Sequence, residues 1–282
     1  MVDAPGLINM TKRPRVIVVS LASDFGCQIQ LSNFSQLLES LDTVQLLYWQ
    51  LILDAPMPIE YDVAIVEGAV TTDEHSELLQ QIRATAHTVI AIGACACTGG
   101  IPALATDKVA EYAQTVYGDD VRAASFDYTG CLDPRPVSQV ISVDYEIPGC
   151  PINPEELSQV LQGALLGVKK RVRREPLCGH CKIIEAPCFY RKQAARPSPI
   201  DTPCLGLVTQ TGCGALCISR GRPCTGCRGI ARDANLESAR EFVRGQGRSV
   251  EEFDAALAIY NSSYNGNHNG SHSSSYSSSE KV

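Results

Sequence analysis

Thirteen cysteines stand in this 282-residue chain, and eight of them, Cys178, Cys181, Cys188, Cys204, Cys213, Cys217, Cys224 and Cys227, fall within fifty residues. A C-x2-C pair opens the group and another closes it. Eight thiols make two four-thiolate sites, which two [4Fe–4S] clusters or two tetrahedral zinc ions would satisfy equally. The spacing alone does not choose between them.

A second, scattered set supplies the choice. Asp24-Phe25-Gly26-Cys27-Gln28, Glu67-Gly68, Gly93-Ala94-Cys95-Ala96-Cys97-Thr98-Gly99-Gly100 and Pro148-Gly149-Cys150-Pro151 each sit in a loop after a short apolar strand. Taken singly, each cysteine reads as a buried thiol and Asp24 as a helix cap. Their joint position at strand ends, beside Gly or Ala that lets backbone approach closely, brings Asp24, Cys27, Cys95 and Cys150 together as ligands for a third [4Fe–4S] cluster. Three sites in one chain suggest a wire of redox centres, a role zinc cannot fill. Electron transfer follows.

The elements that must position these residues have a clear period. Strands are expected at Val16–Ser20, Val44–Tyr48, Val63–Val66, Thr88–Ile92 and Val140–Val143, with helices near Leu31–Leu41, Asp73–Thr85, Lys108–Val116 and Pro154–Leu166. β-branched runs alternating with amphipathic stretches predict an α/β fold, a flavodoxin-like open parallel sheet covered by helices. Ligands collect beyond the carboxyl ends of such strands. The sheet domain is expected over residues 1–168, and a Cys-rich, ferredoxin-like iron–sulfur domain over 169–260. Apolar periodicity fades between Lys169 and Arg232, so something covalent or metallic must organise that segment; one helical stretch, Leu236–Tyr260, follows it. A flexible Ser/Asn/Gly-rich tail is expected over 261–282.

Composition narrows the class further. A formal charge of −7 leaves no surplus of Lys and Arg for phosphate, so nucleic acid is an unsuitable partner, and the basic run Lys169–Arg174 reads as a solvated helix end. No stretch reaches the roughly 20 apolar residues of a membrane span. A cytoplasmic protein is expected, in which clustered thiols mean metal or redox chemistry, not disulfides.

Several segments resemble the small subunits of [NiFe]-hydrogenases, and the likeness extends from Arg15 to Gly229. G-A-C-A-C-T-G-G-I-P and P-G-C-P are similar to that family's loops around its proximal cluster; C-L-G-L-V-T-Q-T-G-C and G-R-P-C-T-G-C resemble the segments holding its other two. The resemblance assigns Asp24, Cys27, Cys95 and Cys150 to a proximal cluster. It assigns Cys213, Cys217, Cys224 and Cys227 to a medial one, and Cys178, Cys181, Cys188 and Cys204 to a distal one. Cys97 and Cys131 are left without a cluster role, and His180 falls outside the ligand set. Cysteine at every medial and distal position implies three [4Fe–4S] clusters and the cytoplasmic branches of the family.

Two positions depart from the usual pattern. Asp24 stands where most relatives have the first cysteine of C-x-G-C, which resembles the small (gamma) subunit of the coenzyme F420-reducing hydrogenases of methanogenic archaea. Leu207 stands where proline is common. By this resemblance the catalytic nickel–iron centre lies in a large (alpha) partner subunit. Electrons from H2 would pass along the three clusters to an FAD-containing (beta) subunit that reduces F420, in a larger oligomer of heterotrimers. Glu67, on the same sheet edge, is expected to orient a cluster loop or to help move protons. Rival readings are the small subunit of an F420-non-reducing or NAD(P)-linked hydrogenase and, from another class, a zinc-stabilised scaffold or regulatory module.

Overall fold

The computed structural model describes residues 13–32, 43–118, 131–166, 168, 174–191 and 202–265. β1 (Arg15–Ser20), β2 (Gln45–Trp49), β3 (Val63–Glu67), β5 (Thr88–Ile92) and β7 (Tyr145–Ile147) form one sheet in the order β2-β1-β3-β5-β7. Every pair in it is parallel. Counted within the sheet, this is the flavodoxin-like order 2-1-3-4-5. β4 (Val70–Thr72) and β6 (Cys131–Arg135) add a separate antiparallel pair that the sequence did not announce.

Alternation along the strands divides the core between the two faces. Val16, Val18, Val63, Ile65, Ile90 and Ile92 point into one buried cluster; Ile17, Val19, Ala64, Val66, Val89 and Ala91 point into the other. Helix α5 (Pro154–Leu165) lays Leu157, Val160 and Leu161, at i, i+3 and i+4, on the first face. Helix α2 (Asp73–Thr85) lays Leu79 and Ile82 on the second. Full burial of each such side chain contributes about 1.5–3 kcal/mol. Caps set where these helices begin: Thr72 accepts from His75 N, and Asn153 accepts from Glu155 N ahead of Pro154.

Between them run α1 (Gly26–Ser32), α3 (Gly93–Thr98) and α4 (Val109–Tyr117). The expected helix Leu31–Leu41 lies outside the described residues beyond Ser32. The strand expected at Val140–Val143 is corrected: β7 begins at Tyr145, and Ile141, in the turn before it, is 8% exposed and packs into the second cluster. An apolar run packed from a turn mimics a strand.

In the cysteine-rich region, α6 (Leu177–Ile183) and α7 (Leu216–Ser219) are short. The helical stretch expected over Leu236–Tyr260 is two helices, α8 (Leu236–Gly245) and α9 (Val250–Asn265). Gly247, at a φ of +71°, takes the left-handed position that ends α8. A third cluster, including Leu177, Leu205, Val208, Ile218, Val243, Phe253 and Leu257, joins both helices to the cysteine loops. The segment thus owns more apolar packing than expected. Residues 261–265, expected to belong to the tail, lie within α9, which runs to Asn265, and Asn261 is only 2% exposed. Residues 266–282, and 169–173 of the basic run, lie outside the described residues.

Candidate metal centres

Four loops at the carboxyl edge of the sheet enclose a cavity of about 60 Å³ lined by Asp24, Cys27, Glu67, Cys95 and Cys150. Backbone geometry produces the convergence. Phe25 adopts a φ of +61°, turning the chain between Asp24 and Cys27. Ala94 N donates to Gly149 O at 2.7 Å, pinning the Cys95 loop to the Cys150 loop. Gly93 is obligatory: its φ is +86°, and a Cβ there would lie 2.7 Å from Cys27 Sγ. A cis bond joins Cys150 to Pro151. Behind the cavity, Trp49 Nε1 donates to Gln28 Oε1 at 2.8 Å, fastening α1 to the end of β2.

Each donor has a defined environment. Asp24 Oδ1 accepts from Gly26 N at 2.9 Å, so the carboxylate does cap the start of α1, while the residue also lines the cavity. Glu67 Oε1 accepts from Cys27 N at 2.9 Å. That bond orients the loop bearing Cys27, the acceptor role expected of Glu67. Burial, with the Glu67 charge second, pushes the Cys27 thiol far up. Burial and then Cys150 push Cys95 up to about 11, and burial raises Cys150 and Glu67 as well. Thiols held in their protonated form must lose their protons to solvent when they bind a metal as thiolates. Among the described residues no three His, Cys, Asp or Glu side chains gather closely enough to hold a single metal ion. The four donors at the sheet edge instead line the wall of one shared cavity, which fits a multi-iron group.

The other cysteines form a continuous series. Burial pushes Cys178 and Cys181 up to about 11; Cys204 and Cys188 add to the first, and Cys178, Cys204, Cys213 and Cys188 to the second. A Cβ on Gly206 would lie 3.6 Å from Cys204 Sγ and 3.8 Å from Cys178 Sγ. These contacts draw Cys178, Cys181, Cys188 and Cys204 into one neighbourhood. Burial likewise raises Cys227 to about 11, with Cys213, Cys217 and Cys150 adding to it, and Cys224 has Cys227 as a neighbour.

Neighbouring sets adjoin one another. Cys224 N donates to Cys204 Sγ at 3.3 Å, and Cys150 is among the charged neighbours of Cys227. The sequence of neighbourhoods therefore runs from the sheet edge through Cys150 and Cys227, then through Cys224 and Cys204, to Cys178 and Cys188. Cys97 is half-buried against the second core cluster, 3.5 Å from Ala91 O.

One residue here escaped the sequence reading. Arg228, 1% exposed, donates to Thr211 O at 2.9 Å, to Pro148 O at 2.7 Å and to Glu156 Oε1 at 2.9 Å. It joins the loop of Cys150 to the loop of Cys213 and to α5. A charged residue directly after Cys227, in a segment with so few apolar anchors, was the available signal.

The family of NADH ubiquinone oxidoreductase 20 Kd subunits matches residues 25–164. Sulfhydrogenase 2 subunit delta of Pyrococcus furiosus is 32% identical over 80% of this chain and 91% of its own length. A vhu subunit of the F420-non-reducing hydrogenase of Methanocaldococcus jannaschii is 30% identical over 89% of this chain and 95% of its own. A chain of the reduced Ni-Fe-Se hydrogenase of Desulfomicrobium baculatum superposes with a TM-score of 0.51 at 17% identity, over 77% of this chain and 95% of that one, a likeness of fold. Flavodoxin-like sheet, Cys-rich C-terminal region and extended sequence identity agree: the chain belongs to the small-subunit family of hydrogenases, the iron–sulfur electron-transfer partners of a large subunit.

Proposed function

We propose that this chain is the electron relay of a cytoplasmic [NiFe]-hydrogenase, holding three [4Fe–4S] clusters. Asp24, Cys27, Cys95 and Cys150 bind the proximal cluster, Cys213, Cys217, Cys224 and Cys227 the medial, and Cys178, Cys181, Cys188 and Cys204 the distal. The observation that carries this reading is the convergence of Asp24, Cys27, Cys95 and Cys150 on one cavity at the sheet edge, with Cys224 N donating to Cys204 Sγ between the other two donor sets. Bound clusters supply one-electron redox chemistry at each site. The chain's own residues fix the order of the sites. No residue of this chain splits hydrogen; the nickel–iron centre belongs to the large subunit.

Two readings of the acceptor follow from different observations. The names of the relatives matched over nearly their whole length support an acceptor other than F420. Asp24 at the first proximal position supports delivery through an FAD-containing subunit to F420, in an oligomer of heterotrimers. Anaerobic purification of the complex, with metal analysis and assay of H2-dependent reduction of F420, NAD(P) and disulfides, tests both. About twelve cluster irons per copy of this chain, with nickel, are expected. About two zinc ions and no iron would refute the relay, while F420 reduction would select the second acceptor.

A further inference from the structure

Arg228 directly follows Cys227, and each nitrogen of its guanidinium serves a different part of the chain. Nε donates to Thr211 O at 2.9 Å, two residues before Cys213. Nη1 donates to Pro148 O at 2.7 Å, two residues before Cys150. Nη2 donates to Glu156 Oε1 at 2.9 Å, in the first turn of α5. One side chain, 1% exposed, thus holds loops that carry ligands of two different donor sets. Its surroundings are shaped to admit it. Gly212 takes a φ of +127°, and a Cβ there would overlap Arg228 Nη2 and lie 2.8 Å from Glu156 Oε1. From the other side Asn153 Nδ2, at the cap of α5, donates to Gly212 O at 3.1 Å. A buried ion pair is a poor device for stability alone, since apolar side chains of similar volume avoid its desolvation. What the planar fork supplies is fixed geometry.

We infer that Arg228 is the positioning residue that sets the separation between the proximal and medial clusters, and with it the rate at which an electron passes from one to the other. The inference rests on the ligand sets proposed above. Cys150 lies on one side of the gap, Cys213 and Cys227 on the other, and each stands within two residues of an atom that the guanidinium holds or of Arg228 itself. Electronic overlap between two centres decays steeply with their separation, so a loosened fork slows the transfer before it unmakes either site. Lysine would keep the charge but offers a single nitrogen to three acceptors. The two regions stay joined without the fork, because Thr98 Oγ1, at the end of the helix bearing Cys95, lies 2.7 Å from Tyr260 O in α9.

The experiment is EPR of the intact hydrogenase complex, reduced under H2 and carrying Arg228→Lys. The magnetic splitting between the proximal and medial clusters, which falls with the inverse cube of their separation, is expected to narrow with iron content unchanged. Freeze-quench after mixing with H2 should show the medial signal growing in more slowly. In Glu156→Gln the fork keeps an acceptor at every nitrogen, and the splitting should equal the wild type's. A wild-type splitting in the lysine variant, or equal narrowing in both variants, overturns the inference. Should the lysine variant lose iron, Arg228→Ala reconstituted in methylguanidinium decides, since that ion restores the fork without the tether. Recovery of the wild-type splitting with methylguanidinium and not with methylammonium is expected; recovery with neither or with both overturns the inference. A wild-type complex with no proximal–medial splitting at all overturns the ligand assignments themselves, a separately recognisable failure.

Discussion

The five-stranded sheet carries a hydrophobic cluster on each face, whereas the cysteine-rich region shares a single cluster among short helices and loops. In the first region apolar burial and the strand ladder determine the structure, and the donors ride on its edge. In the second, α6 spans seven residues and α7 four, too few to hold themselves as isolated helices. Bound metal and the packing of α8 and α9 must supply the difference. The two regions should therefore respond oppositely to the same insult.

Iron removal gives the largest expected contrast. Anaerobic chelation should abolish most amide-exchange protection across residues 174–191 and 202–232 while β1, β3 and β5 keep theirs, because cluster binding is coupled to folding only where the core is thin. Hydrogen exchange with mass spectrometry reads both regions at once, and equal loss in both would end the distinction.

Next in size is the joint between them. Arg228→Ala removes a buried cation and leaves the Glu156 carboxylate without its partner, a loss of about 3–5 kcal/mol for a broken buried pair. Burial already holds the Glu156 carboxyl above its ordinary range although Arg228 pulls it down, so the variant's carboxyl rises further. A carboxyl raised in the folded state makes folding more favourable where it is protonated, and that advantage is lost as pH rises. The stability gap between wild type and variant, measured by denaturant titration, should widen from about pH 5 to about pH 8.

How much of this was legible in the sequence depends on the range over which each signal acts. Helix α2 matched its expected span because its period and its Thr72 cap are local. The donors were legible by residue type, and their strand-end positions placed Asp24, Cys27, Cys95 and Cys150 at one edge, where the cavity lies. Helices α1 and α3, seven and six residues long, are too short to show a period. The place of Arg228 directly after Cys227 was its one local signal, and its role stayed hidden because its partners stand 17, 72 and 80 positions away. The same holds for Thr98 and Tyr260, 162 positions apart, which meet only once α9 folds back over α3.

Asp24→Asn separates two roles that the wild-type residue combines. Asparagine caps a helix about as well as aspartate, so the bond from Gly26 N and overall stability should stay within about 0.5 kcal/mol of wild type. The anionic oxygen offered to the cavity is lost. Cluster iron should fall from about twelve toward about eight, with the proximal EPR signal diminished and the others intact. Full iron content with an unchanged proximal signal would leave Asp24 as a cap alone.

The smallest effect tests whether the cysteine-rich region really leans on its helices. Asn235 Oδ1 accepts from Ser238 N at 2.9 Å and caps α8, whose Ala239 and Val243 enter the third cluster. Replacing Asn235 by alanine should cost about 1 kcal/mol, as other caps do. If α8 supports the cysteine loops, that loss appears as faster exchange in α8 and in the loop around Leu205 and Val208, with β1, β3 and β5 unmoved. If the loss stays within α8, bound clusters alone hold those loops, and the third cluster is a consequence of their order and not a cause.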